Sequence, residues 1–476
     1  MQLFYFRPDS LSVIFIAVIT VLFACSAVYS IEYMRDSLNK KRFYLSFSLT
    51  WLVLILLSCA GSLLTFYLCY EAMTLLSVPL VLHEQSHEAV IAGLKYLFYS
   101  LCGAYMALFG LFFLNRYADG LIFREGGILD PAKCAGHESL LRIVLFLMIM
   151  GFSVKAGMFP MHAWLDTAHP VAPSPASAVL SGVIVKSGVL GIIRVIFYVF
   201  GAGFFIGSWV QTVFLILSLI TVFMGSMLAF REKVFKRRLA YSTVSQISYI
   251  LFGIFIMDPA ALKGSFLHVM AHAFIKSSLF LIAGALIHVT GLKNVGDYKG
   301  MGRREPVLFA CYTLCSLALV GIPPTGGFLS KWYLAVGALS SGVSVFGYLG
   351  PVILLISALL TAGYLFPICM DAFFPGKDFK LESQRFSNLT GGSDANPDIS
   401  GSCLTPEDKN TNGIKSTGKL MLMPVMILTA LAVLLGMFPG GVLRFIDGLS
   451  LLSFADPGKL LSGLDRLSMF TGGMWP

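Results

Sequence analysis

Long apolar stretches alternate with short polar connections along the whole chain. Most stretches run for about 20 residues or more, the length that an α-helix needs to cross a bilayer. Alternating segments of about ten residues, which are typical of an outer-membrane β-barrel, are not the pattern here. We therefore predict an all-α polytopic membrane protein with about twelve transmembrane helices. The predicted spans are residues 10–33, 43–60, 61–82, 89–115, 140–160, 174–200, 206–229, 239–257, 262–288, 306–339, 349–373 and 420–445.

Two of these spans carry proline near an ionisable residue. Pro323 and Pro324 lie in the middle of the stretch 306–339, and Pro160 follows Lys155 by five residues. A proline inside a span frees backbone carbonyls and interrupts the helix, which suits an ion pathway at the midplane. One broken helix in each half of the chain indicates two repeats of about five spans.

Composition supports a membrane protein and excludes several other classes. Of the 476 residues 57% are hydrophobic and 12% charged, against roughly 25% charged in a soluble domain. Soluble enzymes, disordered chains and secreted disulfide scaffolds are therefore excluded. The nine cysteines include no CxxC pair and lie mostly in apolar stretches. We interpret them as small packing residues, and we predict no redox centre, cofactor or metal site.

Lysine and arginine cluster in alternate loops. The loops 35–42, 230–238 and 292–305 are basic, whereas the short loops 201–208 and 340–348 carry no charge. The positive-inside rule places the basic loops in the cytoplasm or an organelle matrix, and both termini outside. The start of the chain loosely imitates a secretory signal, but its apolar run has span length. The predicted division is 1–42 first span and basic loop, 43–200 first repeat, 206–373 second repeat, 374–419 flexible inner loop, and 420–476 last span and short tail.

A few ionisable residues lie inside the predicted spans, where each charge costs about 2.5–3.5 kcal/mol on insertion scales. They are Glu71, Lys155, Lys186, Lys276 and Lys331. We expect them to face a hydrated interior or one another, for instance with Glu71 beside Lys155. His268, His272 and Lys276 recur every four residues and so share one helix face. Such a row can pass protons by short hops.

Other interpretations stay open for some of these groups. A lysine near a span end can extend its amine to the interface, as we expect for Lys95 and Lys263. His268 and His272 lack the glutamate and the third ligand of a zinc site. The polar face 240–249 either lines a path or joins helices by hydrogen bonds. A loop cluster offers either proton uptake or helix capping: His162, Asp166 and His169.

Four segments together resemble the antiporter-like proton-channel subunits of respiratory complex I and its relatives. They are residues 151–194, 236–249, 268–288 and 321–334, with the sequences GFSVKAGMFPMHAWLDTAHPVAPSPASAVLSGVIVKSGVLGIIR, KRRLAYSTVSQISY, HVMAHAFIKSSLFLIAGALIH and GIPPTGGFLSKWYL. The resemblance extends from about residue 10 to 445. It implies two inverted five-helix repeats, each with a broken helix.

The resemblance also implies roles for individual residues in proton uptake, storage and release. Glu71 matches the membrane carboxylate, Lys155 the first broken-helix lysine and Lys186 the lysine of the next helix. His268, His272 and Lys276 match the central axis, and Lys331 the second broken helix, where some members carry glutamate. Members commonly have about fourteen spans, and this chain resembles them from the third span onward, so the first pair is either absent or supplied by another subunit. No long amphipathic helix follows residue 445, which argues against the subunit with a lateral arm.

We therefore predict a proton-translocating subunit of a complex I-like or energy-converting hydrogenase complex, without a catalytic site of its own. The expected partners are other membrane subunits, including homologous antiporter-like ones, and protons, with Na+ as the alternative ion; nucleic acid is not a partner. One alternative is a D-type component of a multisubunit Na+/H+ antiporter without redox partners, and another is a non-conducting structural subunit. We expect a bacterial or archaeal cytoplasmic membrane rather than an organelle inner membrane.

Overall fold

The computed structural model describes residues 4–375, 416–449 and 452, and within them every extended element is helical. The predicted all-α class is confirmed. The predicted inner loop and C-terminal tail fall largely outside the described residues. We number the main helices α1 Ser10–Tyr33, α2 Lys40–Ser58, α3 Leu63–Val81, α4 His87–Tyr117, α5 Glu138–Ala156, α6 Leu165–Val171, α7 Ser174–Phe200, α8 Trp209–Arg231, α9 Phe235–Phe255, α10 Pro259–Thr290, α11 Pro306–Val320, α12 Gly326–Ser340, α13 Ser344–Phe373, α14 Lys419–Met437 and α15 Gly440–Asp447.

Ten of the described helices are long and apolar enough to cross a membrane. α9 has a comparable length of 21 residues but begins with a Lys-Arg-Arg run. α11 and α12 each have 15 residues and follow one another as two short pieces. The chain is therefore a multi-pass membrane protein. The number of about twelve spans and the inverted arrangement of the repeats stay predictions.

Several helices begin at a polar residue that satisfies the free backbone N–H groups of the first turn. The side chains of these residues accept a hydrogen bond from the backbone two or three residues later, which is the usual N-cap arrangement. These caps mark the boundaries that hydropathy alone places only approximately. They are Asp9, Ser62, Ser86, Ser208 and Asp258.

The structure contains a helix break at both predicted positions, but glycine rather than proline ends the helix. α5 stops at Ala156 because Gly157 adopts a left-handed conformation with φ 74°. α11 stops in the same way at Gly321, with φ 93°. Glycine adopts this conformation without steric cost. The predicted span 140–160 was therefore too long at its C-terminal end, and 306–339 divides into α11 and α12.

Two helices form the centre of the molecule and carry four of the seven predicted path residues: Lys186 on α7, and His268, His272 and Lys276 on α10. The apolar window of α7 is 100% buried within the chain and that of α10 is 83% buried, against 39% for α4 and α13. α7 also contains two π-helical segments, Leu180–Ile184 and Arg194–Phe200. π-Helical segments leave backbone groups outside the regular ladder and occur frequently at functional sites.

Candidate functional site

Lys155 lies in the last turn of α5 and is fully buried. Its Nζ donates to Thr74 Oγ1 at 3.0 Å, Tyr96 Oη at 3.0 Å and Ser100 Oγ at 2.9 Å. The amine also lies 4.5 Å from the centre of the Tyr96 ring. All three ammonium donors are thus satisfied by neutral hydroxyl groups.

Glu71 does not pair directly with Lys155, contrary to our expectation. No ion pair within 4.0 Å joins Glu71 to any cation of the described residues, and its buried Oε1 has no hydrogen-bond partner. Thr74, one turn along α3, takes the hydrogen bond of the amine instead. The carboxylate is half-buried in the single chain. The contact between α3 and the Lys155 amine is thus made by Thr74 and not by Glu71.

Lys186 contacts a histidine of the neighbouring central helix. Its Nζ donates to the carbonyl oxygens of Ser181 at 3.2 Å and Gly182 at 2.6 Å, both in the first π-helical segment. It also lies 3.0 Å from Nδ1 of His272. An ammonium can only donate, so His272 Nδ1 must accept while Lys186 is charged. A proton can pass directly between the two nitrogens.

From His272 the row of ionisable side chains extends along α10 to His268 in one direction and to Lys276 in the other. The rings of His268 and His272 stack at 5.9 Å between centroids. His268 Nδ1 lies 2.8 Å from Ser330 Oγ, and its Nε2 lies 3.2 Å from Gln246 Oε1. Lys276 donates to the Leu239 carbonyl oxygen at 2.9 Å and to the Ser242 hydroxyl. All three ionisable side chains of the row are buried.

Lys331 occupies the broken helix of the second half. It lies in the second turn of α12, and its Nζ donates to the carbonyl oxygens of Leu319 at 2.6 Å and Val320 at 3.0 Å. These carbonyls end α11 and have no partner within that helix. The amine also lies 5.0 Å from the centre of the Tyr249 ring. Ser330, the residue before Lys331 on the same helix, contacts His268.

The structure thus brings the predicted residues into two groups. Lys186, His272, His268 and Lys331 form a row in which Ser330 supplies the link to α12. Lys276 extends that row by one turn, while Glu71 and Lys155 form a second group. The helices that carry the two groups approach closely, because a Cβ at Gly188 of α7 would lie 3.2 Å from the Lys155 Cβ of α5.

In the loop cluster of His162, Asp166 and His169, at least one residue does not cap a helix. His169 is fully buried, stacks on Phe280 at 4.5 Å, and neither of its ring nitrogens has a hydrogen-bond partner. Asp166 accepts a hydrogen bond from Tyr241 at 2.9 Å. Among the described residues no group of three or more His, Cys, Asp or Glu side chains could hold a metal ion.

One buried ion pair was not predicted from the sequence. Arg194 is 2% exposed, and its guanidinium binds the Asp9 carboxylate through Nη1–Oδ2 at 2.5 Å and Nη2–Oδ1 at 3.0 Å. Its Cζ lies 4.5 Å from the Tyr198 ring centre. Burial raises the pKa of Asp9, but Arg194 and Ser12 together outweigh it and hold that pKa below the ordinary value. The sequence offered one indication of this pair, because Arg194 lies within the apolar run 188–200, where a charge needs a partner.

Comparison with known families agrees with this arrangement of side chains. The family model described as "NADH:quinone oxidoreductase/Mrp antiporter, TM" matches residues 60–361, more than half of the chain. The chain belongs to this family. A second family model, "NADH-Ubiquinone oxidoreductase (complex I), chain 5 N-terminus", matches residues 3–44. The family predicted from the four motifs is confirmed.

Curated relatives in the NADH:quinone oxidoreductase/Mrp antiporter family include subunits of several complexes. The chain is 30% identical to NADH-quinone oxidoreductase subunit N of Desulforudis audaxviator, over 75% of this chain and 71% of the relative. It is 32% identical to hydrogenase-4 component B of Escherichia coli over 69% of this chain. The matched region spans only 50% of that second relative.

Solved structures of distant relatives share the fold. The structure of the Mrp complex from Dietzia sp. aligns with 96% of this chain and 86% of its own, with a TM-score of 0.76 and 20% identity. A chain of the membrane-bound sulfane sulfur reductase, an archaeal respiratory membrane complex, aligns over 95% and 84%, also with a TM-score of 0.76 and 20% identity. The relatives are thus subunits of multi-subunit membrane complexes.

Proposed function

We propose that this chain is a proton-translocating, antiporter-like subunit of a complex I-like or energy-converting hydrogenase complex. The observation that supports it most directly is the largely buried row of Lys186, His272, His268, Ser330 and Lys331. Each buried charge is costly in a membrane, at about 2.5–3.5 kcal/mol on insertion scales. A non-conducting structural subunit gains nothing from such a row, so transport is the better explanation.

The proposed path divides protons between the two halves of the chain. Lys155, which binds Thr74 one turn from Glu71, stores a proton in the first half. Lys331 holds a proton in the second half. Lys186, His272 and His268 exchange protons between these sites, because each contains a nitrogen that can accept after it has released. The two halves correspond to the proposed repeats 43–200 and 206–373.

The proposed setting follows from the relatives and from the basic loops. Subunits of NADH-quinone oxidoreductase and of hydrogenase 4 are matched over most of this chain, which supports redox partners that drive transport. We place the chain in a bacterial or archaeal cytoplasmic membrane, with the basic loops inside and both termini outside.

A subunit of a cation/H+ antiporter without redox partners is the second candidate. The name of the matching family model includes the Mrp antiporter, and the Mrp complex shares the fold. The two candidates differ in driving force and in ion: the antiporter requires an Na+ gradient, whereas the redox-driven complex requires an electron donor.

The test is proton movement in everted membrane vesicles that carry the assembled complex, driven either by an electron donor or by an imposed Na+ gradient. We expect Lys155→Ala and Lys331→Ala to reduce acidification of the vesicle interior to background while assembly stays normal. Lys95→Ala is the control, because that half-buried lysine lies near the start of α4 and outside the row. Wild-type transport by both variants would refute the proposed path.

A further inference from the structure

The helix α14 packs directly against the second helix break, between α11 and α12. A Cβ at Gly436 of α14 would collide with backbone atoms of Pro324, Thr325 and Gly326. In the reverse direction, a Cβ at Gly326 would lie 3.1 Å from the carbonyl oxygen of Ala432 on α14. The two backbones are therefore in contact, and only glycine at these positions allows so close an approach.

This contact lies close to Lys331 along the chain. Gly326 begins α12, and Lys331 follows in the second turn of the same helix. The Lys331 amine reaches back across the break to the carbonyl oxygens of Leu319 at 2.6 Å and Val320 at 3.0 Å, at the end of α11. The amine keeps these partners only while the start of α12 and the end of α11 stay in their present relative position.

The same helix also contacts the other piece of the broken helix. Thr429 Oγ1 of α14 lies 3.3 Å from Cys315 Sγ of α11 and 3.0 Å from Ser278 Oγ of the central helix α10. Thr429 precedes Gly436 by seven residues, about two helical turns, so the two share one face of α14. This face therefore joins α10, the end of α11 and the start of α12.

Both ends of α14 are fixed to other helices. In its first turn the backbone N–H of Met421 donates to the Glu32 carboxylate of α1 at 3.2 Å. Beyond its other end, Asp447 of α15 forms an ion pair with Lys263 of α10 at 2.5 Å. These contacts fix α14 along its axis and set the level at which it meets the break.

The first helix break, between α5 and α6, is also held by a helix outside its own two pieces. The backbone N–H of Phe159 donates to Thr221 Oγ1 of α8 at 3.0 Å, and the Thr221 side chain is buried. The contact there is a hydrogen bond, whereas at the second break it is close backbone packing. In both halves, a separate helix thus fixes the connection beside a candidate lysine.

We propose that α14 is a positioning element for Lys331 and that it acts through Gly436; this inference rests on the proposed function. Because α14 contacts both pieces of the broken helix, it sets the distance between the Lys331 amine and the carbonyl oxygens of Leu319 and Val320. Gly436 has no side chain that could take part in proton transfer. Its substitution can therefore change transport only by moving other groups.

Close packing without any effect on transport is the competing role, because membrane helices commonly approach one another at small residues. That role predicts a lower unfolding temperature at unchanged proton flux. Gly363 of α13 is the matched control: a Cβ there would lie 2.9 Å from the Phe230 ring, so alanine crowds a side chain and not a helix break. Positioning instead predicts lost flux and a displaced α12 in assembled complexes.

Gly436→Ala and Thr429→Val test the proposal in two ways. The first forces the break away from α14, and the second keeps the side-chain shape but removes the hydroxyl that contacts α10 and α11. Gly363→Ala is the control for the first, and Thr50→Val for the second, since Thr50 is buried and bonds a carbonyl oxygen of its own helix. Proton flux into everted vesicles is normalised to assembled complex, and the unfolding temperature of the complex is measured alongside.

A spin-label distance reports the position of α12 independently of transport. The labels are attached to Trp332→Cys on α12, next to Lys331, and to Ile220→Cys on α8, in a background without reactive native cysteines. Both side chains are exposed in the single chain. We expect the distance between the labels to shift or broaden in Gly436→Ala and Thr429→Val and to stay at the wild-type value in both controls.

We expect about a fivefold loss of flux in Gly436→Ala, equivalent to about 1 kcal/mol in the barrier, and about a twofold loss in Thr429→Val. Wild-type flux or an unchanged label distance in Gly436→Ala, an equal loss of flux in Gly363→Ala, or failure of both test variants to assemble would overturn the positioning role. If only Gly436→Ala fails to assemble, Thr429→Val decides by the same two measurements. Lys331→Ala is run alongside: if it transports normally, the proposed function fails, and if it alone loses transport, only this inference fails.

Discussion

The lysines of the candidate path have a common chemical setting that bears on their proposed role. Lys155 donates to hydroxyl groups, Lys276 to a carbonyl and a hydroxyl, and Lys331 to carbonyls. In the described residues none of them forms an ion pair with a carboxylate. Losing a proton therefore breaks no ion pair and leaves no uncompensated buried anion, which would be strongly destabilising. Such amines are suited to alternate between charged and neutral forms.

Thr74 is the residue of α3 that accepts a hydrogen bond from the Lys155 amine, one turn from Glu71. Thr74→Val keeps the shape of the side chain and removes the hydroxyl oxygen that accepts from the amine at 3.0 Å. We expect about a tenfold slower proton flux in assembled complexes, because the remaining path then lacks one acceptor. Thr50→Val is the control, since Thr50 is also buried and bonds only the Ser46 carbonyl oxygen. Wild-type flux in Thr74→Val, measured in the same vesicles, would exclude a relay through this hydroxyl.

The ion pair between Asp9 and Arg194 has a predictable effect on stability. Asp9→Asn leaves the buried guanidinium without its counter-charge, so we expect a loss of about 2 kcal/mol at neutral pH. Because the pKa of Asp9 is depressed in the folded protein, its contribution is fully present above the ordinary value of about 3.9. It is lost as the pH falls through the lower folded-state pKa.

Thermal unfolding of the purified complex between pH 3 and 8 tests this expectation. Asp130→Asn is the control, because its ion pair with Lys133 lies at the exposed surface and should contribute little. Equal unfolding temperatures of wild type and Asp9→Asn at neutral pH would show that the pair is not a stabilising contact.

At the scale of helices, apolar length predicted the elements well but not how they end or bend. The α-helical spans and both breaks could be placed from the sequence, because about 20 apolar residues and internal prolines are strong signals. No residue pattern indicated the π-helical segment Leu180–Ile184, which positions carbonyl oxygens for Lys186. The first break was also assigned to Pro160, although Gly157 ends the helix. Gly157 was a local signal in the sequence, because glycine commonly follows the last residue of a helix, whereas the π-helical segment had none.

Gly157 can be tested as the residue that ends α5. Alanine at this position would be strained by the left-handed backbone at φ 74° and would collide with Leu165. We expect Gly157→Ala to destabilise the complex by about 2 kcal/mol or more and to displace Lys155 nearby. Gly207→Ala is the matched control, because Gly207 has φ 71° but a Cβ there would have no neighbouring atom within 4 Å. Only the backbone cost of about 1 kcal/mol should appear there, and equal unfolding temperatures for the two variants would remove the steric argument.

For the whole molecule, the sequence predicted the class and the family but not which helices meet. The contact between Lys186 and His272 joins residues 86 positions apart, and no periodicity within one helix contains that information. Glu71 and Lys331 were expected in the interior, yet both are only half-buried in the single chain. A subunit of a larger membrane complex can complete such sites with a neighbouring subunit, which agrees with the multi-subunit assemblies of the relatives.

The orientation of the chain is the remaining property of the whole molecule that can be predicted and checked. The positive-inside rule places the first basic loop in the cytoplasm. Three further crossings, by α2, α3 and α4, then place the loop between α4 and α5 outside. Leu38 is 91% exposed in the first loop and Ile122 is 53% exposed in the second. In intact cells we expect a membrane-impermeant maleimide to label Ile122→Cys directly and Leu38→Cys only after the membrane is permeabilised. The unsubstituted chain controls for its native cysteines, and the reverse labelling pattern would invert the proposed topology and the side assigned to both termini.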